Sequence, residues 1–205
     1  MIIALDGPAA AGKGTLAKRL AAHFGLPHLD TGALYRAVAA RALRTGEAPE
    51  AVAAAFRITD MDAPDLRSGA VGAQASRVAA IPAVRASLLE FQRNFARQPQ
   101  GAVLDGRDIG TVVCPWPETV KLFVTASPEA RARRRYNELL GRGETPIYAA
   151  VFADLAERDK RDSERADAPM KPAPDADVLD TSALDPDEAF RTALGLISAK
   201  TRARG

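Results

Sequence analysis

The chain has 205 residues, 47% of them hydrophobic, and a formal net charge of +2, enough sequence for one sizeable core and too little charge for bulk attraction to nucleic acid or membrane. Cys114 is its single cysteine, which excludes an intrachain disulfide and a multi-cysteine metal site and suits a reducing compartment. Its basic residues are six lysines and 22 arginines, so position must decide whether the guanidinium groups reflect codon bias or phosphate recognition.

Met1 to Leu5 is a short apolar run of the kind a buried parallel strand requires. The run ends at Asp6, Gly7 and Pro8, too early for a signal peptide or a membrane span, and a soluble cytoplasmic protein is expected. Leu16, Leu20 and Phe24 then recur at helical spacing over 12–24. Between strand and helix lie Gly7, Pro8, Ala9, Ala10, Ala11, Gly12, Lys13, Gly14 and Thr15. Small residues there allow the backbone to wrap a di- or triphosphate and turn its N–H groups toward the anion. The helix start adds its positive end, Lys13 reaches the β and γ oxygens, and Thr15 is the candidate for the Mg²⁺ shell of ATP. The strict loop pattern sets Ser or Thr directly after the lysine, whereas Gly14 intervenes here, a form that resembles the nucleoside monophosphate kinases. An ATP-dependent phosphotransferase is the expectation.

Next, Asp30, Thr31 and Arg36 sit in a short turn that can deliver a hydroxyl and a guanidinium beside the phosphates; they read equally as an N-cap followed by a solvated arginine. Residues 46–100 interrupt the core with alanine-rich helical sequence, with turn signals at Ala63-Pro64-Asp65 and Ser68-Gly69. Within this insert Ser76 and Arg85 flank a proline break and, taken alone, read as surface residues on adjoining helices.

Strands are expected at Ala102 to Leu104 and Val120 to Val124, with a weaker one at Val178 to Leu179. The first runs into Asp105-Gly106-Arg107-Asp108, at the sheet edge where ligands collect, although a salt-bridged turn would have the same composition. Arg131, Arg133, Arg134 and Arg135 open a charged stretch that Arg158, Arg161 and Arg165 close, interrupted by Gly141-Arg142-Gly143 and Pro146 as a mobile lid would be. On one helix Arg158, Asp162 and Arg165 share a face, and solvated salt-bridged faces are the competing account of both clusters. His23 and His28 read as bystanders. Asp185-Pro186-Asp187 opens a last helix, and Thr201 to Gly205 is a tail expected to fray.

Alternating strands and helices predict an α/β fold of the P-loop NTPase type: a parallel sheet with helices on both faces, a helical NMP-binding insert and an arginine-rich lid. The chain reads as a single kinase domain, with core at about residues 1–45, 101–130 and 170–200, insert at about 46–100 and lid at about 131–168.

Five runs in order, Gly7 to Thr15, Leu29 to Arg36, Ala75 to Arg85, Asp105 to Val113 and Glu157 to Arg165, resemble bacterial cytidylate kinases over nearly the whole chain. The resemblance implies transfer of the ATP γ-phosphate to CMP or dCMP. It implies that Ser76, Arg85 and Asp108 read the cytosine edge and that Asp30, Thr31, Arg36 and Arg107 lie near the monophosphate. It further assigns Arg158, Asp162 and Arg165 to the acceptor's sugar and phosphates, and Arg131 and Arg134 to the ATP side. Lys13, Arg131, Arg158 and Arg165 are the expected catalytic cations. The pairing chemistry agrees, since cytosine's amino group suits a carboxylate and its N3 and O2 suit donors, whereas uracil would leave a buried aspartate unpaired at roughly 1–3 kcal/mol. Thr31 stands where the family often has serine, and Phe56 to Gly69 fills an interval where many members place a small sheet. A kinase for UMP, AMP or shikimate and a slowly hydrolysing nucleotide switch are the rivals. A monomer is expected, since no long heptad pattern is visible.

Overall fold

A computed structural model describes residues 1–63, 66 and 68–202. Its sheet contains β1 (Ile2–Asp6), β2 (His28–Asp30), β3 (Ala102–Asp105), β4 (Val120–Thr125) and β5 (Asp177–Asp180) in the spatial order β2-β3-β1-β4-β5, all parallel. Around it run α1 (Lys13–Phe24), α2 (Thr31–Thr45), α3 (Pro49–Ala54), α4 (Gly69–Val78), α5 (Pro82–Ala96), α6 (Pro128–Leu140), α7 (Tyr148–Glu164) and α8 (Pro186–Arg202). Among the described residues no helix is long and apolar enough to cross a membrane.

Strand alternation divides the core into two layers. Ala4, Ala102 and Leu104 face α2 to α5, whereas Ile3, Leu5, Val103, Val120 and Leu122 face α1 and α8. A central parallel strand must be apolar on both faces, which explains why β1 and β3 read as continuous hydrophobic runs. Each fully buried large side chain, such as Leu20 or Ile197, contributes ~1.5–3 kcal/mol. A third, smaller cluster of Ala132, Leu139, Val151 and Leu155 joins α6 to α7 and touches Ala9 of the phosphate loop. The arginine-rich stretch is therefore a helical hairpin with its own small core.

Four strands, β1, β3, β4 and β5, and the opening helix stand where the sequence places them. β2 was not anticipated, because three residues, His28, Leu29 and Asp30, give no apolar run; they become a strand by pairing with β3. The segment after Phe56 contains a short 3-10 helix at Ile58–Asp62, and no strand among the described residues, consistent with a trimmed insert. Pro64 and Asp65 of the turn signal, and the last three residues of the tail, lie outside the described residues; Thr201 and Arg202 continue α8. Asp185 opens α8 with its carboxylate accepting from the N–H groups of Asp187 and Glu188.

Candidate active site

The carboxyl edge of the sheet carries aspartates at four strand ends, Asp6, Asp30, Asp105 and Asp180. A cleft of about 760 Å³ opens along this edge, between the phosphate loop, the insert and the α6–α7 hairpin. Ligands gather at this edge of a parallel sheet because β1, the central strand, has its neighbours β3 and β4 leading away in opposite directions.

The phosphate loop is shaped by close approach and by left-handed backbone. Gly7 has φ +138°, and a Cβ there would lie 1.9 Å from the Val124 carbonyl oxygen. Ala10 and Gly12 are also left-handed, at φ 59° and 87°, so successive N–H groups turn inward as an anion nest does. Lys13 is the first residue of α1 and is buried; its Nζ donates to the Pro8 carbonyl at 2.6 Å. Burial, with Arg107 nearby, pulls its pKa down to about 7 even though Asp105 and Asp6 oppose the shift. Gly14 and Thr15 line the cleft, Thr15 exposed to it. Among the described residues no group of three His, Cys, Asp or Glu side chains could hold a metal. A magnesium ion would thus rely chiefly on nucleotide phosphates, as magnesium commonly does, with the Thr15 hydroxyl available to it.

At the start of α2 the N-cap reading holds, but Arg36 is not on a solvated face. Asp30 is the N-cap, accepting from the Ala33 N–H at 3.1 Å, and it also binds Arg36 Nη2 at 2.5 Å within the cleft wall. Thr31 is buried and its hydroxyl donates to the Asp105 carbonyl at 2.9 Å, so an approaching phosphate meets a hydroxyl whose proton is already engaged. Gly106 makes this possible, because a Cβ there would stand 2.5 Å from Thr31 Oγ1.

Asp108 gathers two of the remaining predicted acceptor residues, Arg85 and Arg165. Its two oxygens accept from Arg85 Nη2, in a short bond, and from Arg165 Nη2 at 3.1 Å. Arg85 and Asp108 are both buried, and Arg85 Nη1 also reaches the Tyr35 hydroxyl at 3.3 Å. Arg107 Nε donates to Asp162 at 2.8 Å. Burial opposes ionisation of Asp162, yet Arg107 and Arg158 hold its carboxyl below the usual range. Arg158 lines the cleft with its Nε buried and unpartnered among the described residues, and burial with Arg107 beside it lowers its pKa to about 10. Arg158 and Asp162 share a face of α7 as their spacing predicts. Arg165 does not: it caps α7 with extended backbone, φ −61° and ψ 140°, and reaches Asp108 from beyond the helix end.

Arg131 and Arg134 both meet the phosphate loop's surroundings. Arg131 Nη1 contacts the Ala9 carbonyl at 3.3 Å and Asp159 at 2.5 Å, while Arg134 binds both oxygens of Thr181. Arg133 points to solvent. His23 lies edge-on to Phe24 and Phe190, away from the chemistry, but His28 is no bystander to the cleft: its Nε2 lies 2.7 Å from Asp105.

Two residues of consequence carried no sequence-level assignment. Asp6 is buried and accepts from the N–H groups of Ile109 and Gly110, each at 2.7 Å, tying the strand before the phosphate loop to the loop that holds Asp108. Burial raises its pKa to about 7 despite those two bonds. Its partners lie more than 100 residues away, and only its place at a strand end before Gly7 marks it. Arg161, visible as a member of the closing cluster, donates to Ser76 Oγ at 2.6 Å.

The cytidylate kinase family model matches residues 3–199. A cytidylate kinase of Methylocella silvestris is 59% identical, over 97% of this chain and 94% of its own. One from Xanthobacter autotrophicus is 57% identical over the full length of both. An uncharacterized protein from Eubacterium ventriosum shares the fold, with a TM-score of 0.60 at 16% identity over 97% of this chain and 98% of its own. Full-length similarity of this degree, on a phosphate loop facing an arginine-lined cleft, shows that the chain belongs to the cytidylate kinase family and transfers the γ-phosphate of ATP to CMP or dCMP.

Proposed function

We propose that the two substrates meet along the carboxyl edge of the sheet, ATP on the loop 7–15 and the cytidine monophosphate between Asp108 and the arginines of α7. The observation that carries this reading is the buried Asp108 carboxylate held between Arg85 and Arg165 with Ser76 nearby in the same cleft. A fixed carboxylate accepts from cytosine's exocyclic amino group, and Arg85 and Ser76 supply donors for N3 and O2. Arg36 and Arg107 hold the acceptor phosphate, with Asp30 orienting Arg36, and Thr31 joins them by turning its hydroxyl proton from the Asp105 carbonyl to the phosphate. Asp162 takes a sugar hydroxyl.

No general base is needed, because an acceptor phosphate with its second ionisation near ~6 is already a nucleophile at neutral pH. The chain's work is positioning and charge neutralisation. Lys13 holds the donor's β and γ oxygens, and Arg158 and Arg165 face the acceptor side of the moving group. Arg131 and Arg134 steady the donor loop, Arg131 through the Ala9 carbonyl. Closure of the α6–α7 hairpin excludes the water that would hydrolyse ATP. Thr15, with the ATP phosphates, would hold a magnesium ion, which would supply further neutralisation of the transferring charge.

In domain terms the core strands form the base, residues 46–100 the acceptor-binding insert and 131–168 the lid. A cytoplasmic monomer with no nucleic-acid or membrane partner accords with the near-neutral charge and the lone buried Cys114. A coupled ADP-release assay with ATP and Mg²⁺, comparing CMP, dCMP, UMP and AMP at equal concentration, tests the acceptor assignment. Turnover confined to CMP and dCMP is expected. Preference for UMP or AMP would overturn the roles given to Ser76, Arg85 and Asp108.

A further inference from the structure

We infer that Arg161 is a positioning residue for base recognition, orienting the Ser76 hydroxyl and thereby linking acceptor choice to the seating of the lid. The inference rests on the base-reading role proposed for Ser76. Ser76 is buried on α4 and lines the cleft, whereas Arg161 stands behind it on α7. Arg161 Nη1 donates to Ser76 Oγ at 2.6 Å, and its other arm is held by Glu157 Oε1 at 2.6 Å, one turn back on the same helix. Among the described residues Ser76 Oγ has no other hydrogen-bond partner.

A guanidinium only donates, so Ser76 must accept in this contact. Its single hydroxyl proton is then turned away from the cation and toward the cleft, where it can be donated to N3 or O2 of cytosine. O2 is an acceptor in both bases, so the oriented proton discriminates at position 3, where uracil presents an N–H and meets it unfavourably. Without Arg161 the hydroxyl is a free rotor that can accept as readily as donate, and discrimination weakens. Because Arg161 belongs to the lid and Ser76 to the insert, the donor is oriented only while α7 is seated against α4.

Steady-state kinetics on the full chain test this with Arg161→Ala, Arg161→Lys, Ser76→Ala and the double variant, each with CMP and UMP. Arg161→Ala is expected to raise the KM for CMP about tenfold, with a much smaller change in kcat and in the KM for ATP, and to narrow the CMP-to-UMP preference. Arg161→Lys, which keeps a donor, should recover part of the loss. In the Ser76→Ala background, removing Arg161 should change the KM for CMP by less than about twofold, since the bond is already gone. Equal effects of Arg161→Ala in both backgrounds, or a fall in kcat with KM unmoved, would overturn the proposal and leave the role of Ser76 standing. An unchanged KM for CMP in Ser76→Ala itself would overturn the base-reading role and this inference with it.

Discussion

The donor and acceptor halves of the cleft are built differently. The donor half is nine consecutive residues, Gly7 to Thr15, whose backbone does the binding and whose one strong side chain, Lys13, rests on a carbonyl of its own loop. The proposed acceptor half draws side chains from α2, α4, α5, the loop after β3 and α7, and most of its charges are paired, Arg36 with Asp30, Arg85 and Arg165 with Asp108, Arg107 with Asp162, while Arg158 Nε is buried without a partner among the described residues. In the donor half, burial and the nearby Arg107 depress Lys13, a state that a bound anion would relieve. In the acceptor half, paired side chains hold one another in place. On the roles proposed above, donor binding is a matter of charge and acceptor binding a matter of hydrogen-bond pattern.

If the halves are separable in this way, single changes should act on one substrate at a time. The largest effect is expected at Lys13→Ala, with a fall of roughly 10²–10³-fold in kcat and little change in CMP affinity by calorimetry. Equal weakening of CMP would break the division. Asp108→Asn should come next: it removes the charge that pairs Arg85 and Arg165, costing about 1–3 kcal/mol in CMP binding, seen as a ~10–100-fold rise in KM for CMP with the KM for ATP nearly unmoved.

The pH dependence sharpens the contrast. Free Lys13 titrates near 7, and bound phosphates favour its charged form, so ATP binding should take up a proton above that pH. Donor affinity then weakens as pH rises above 7, by at most about tenfold per unit, until the higher pKa of the complex is passed. Calorimetry of ATP binding in buffers of different ionisation enthalpy reads the proton directly; uptake that is absent at pH 8 would contradict a Lys13 depressed by burial. The smallest effect belongs to Arg133→Ala, in the same arginine cluster but exposed, where stability should move by no more than ~0.5 kcal/mol in denaturant unfolding and turnover should hold.

Much of this was legible in the chain itself. The phosphate loop, the flanking strand and helix, β3, β4 and the helical character of the insert follow from apolar runs, periodicity and contiguous small residues, all of them local signals. The grouping of Ser76, Arg85 and Asp108 was visible only through resemblance, because by spacing alone Ser76 and Arg85 read as surface residues and Asp108 as part of a charged loop at the sheet edge. Other features left no local trace: β2 exists by pairing with β3, Arg165 leaves the helical face its spacing suggests, and Asp6 and Arg161 find partners 103 and 85 residues away.

The division has a physical reason. Backbone conformation and burial pattern are dictated by neighbours within a turn or a strand, so the sequence by itself determined that a parallel sheet would deliver a phosphate-binding loop at its carboxyl edge. Which charged side chain meets which depends on how α2, α4 and α7 pack around the Asp105-to-Asp108 loop, and guanidinium groups have too many possible partners for spacing to choose among them. Only the tertiary structure decided that Asp108 lies between two arginines, that Asp6 clamps the loop carrying it, and that Arg161 stands behind Ser76.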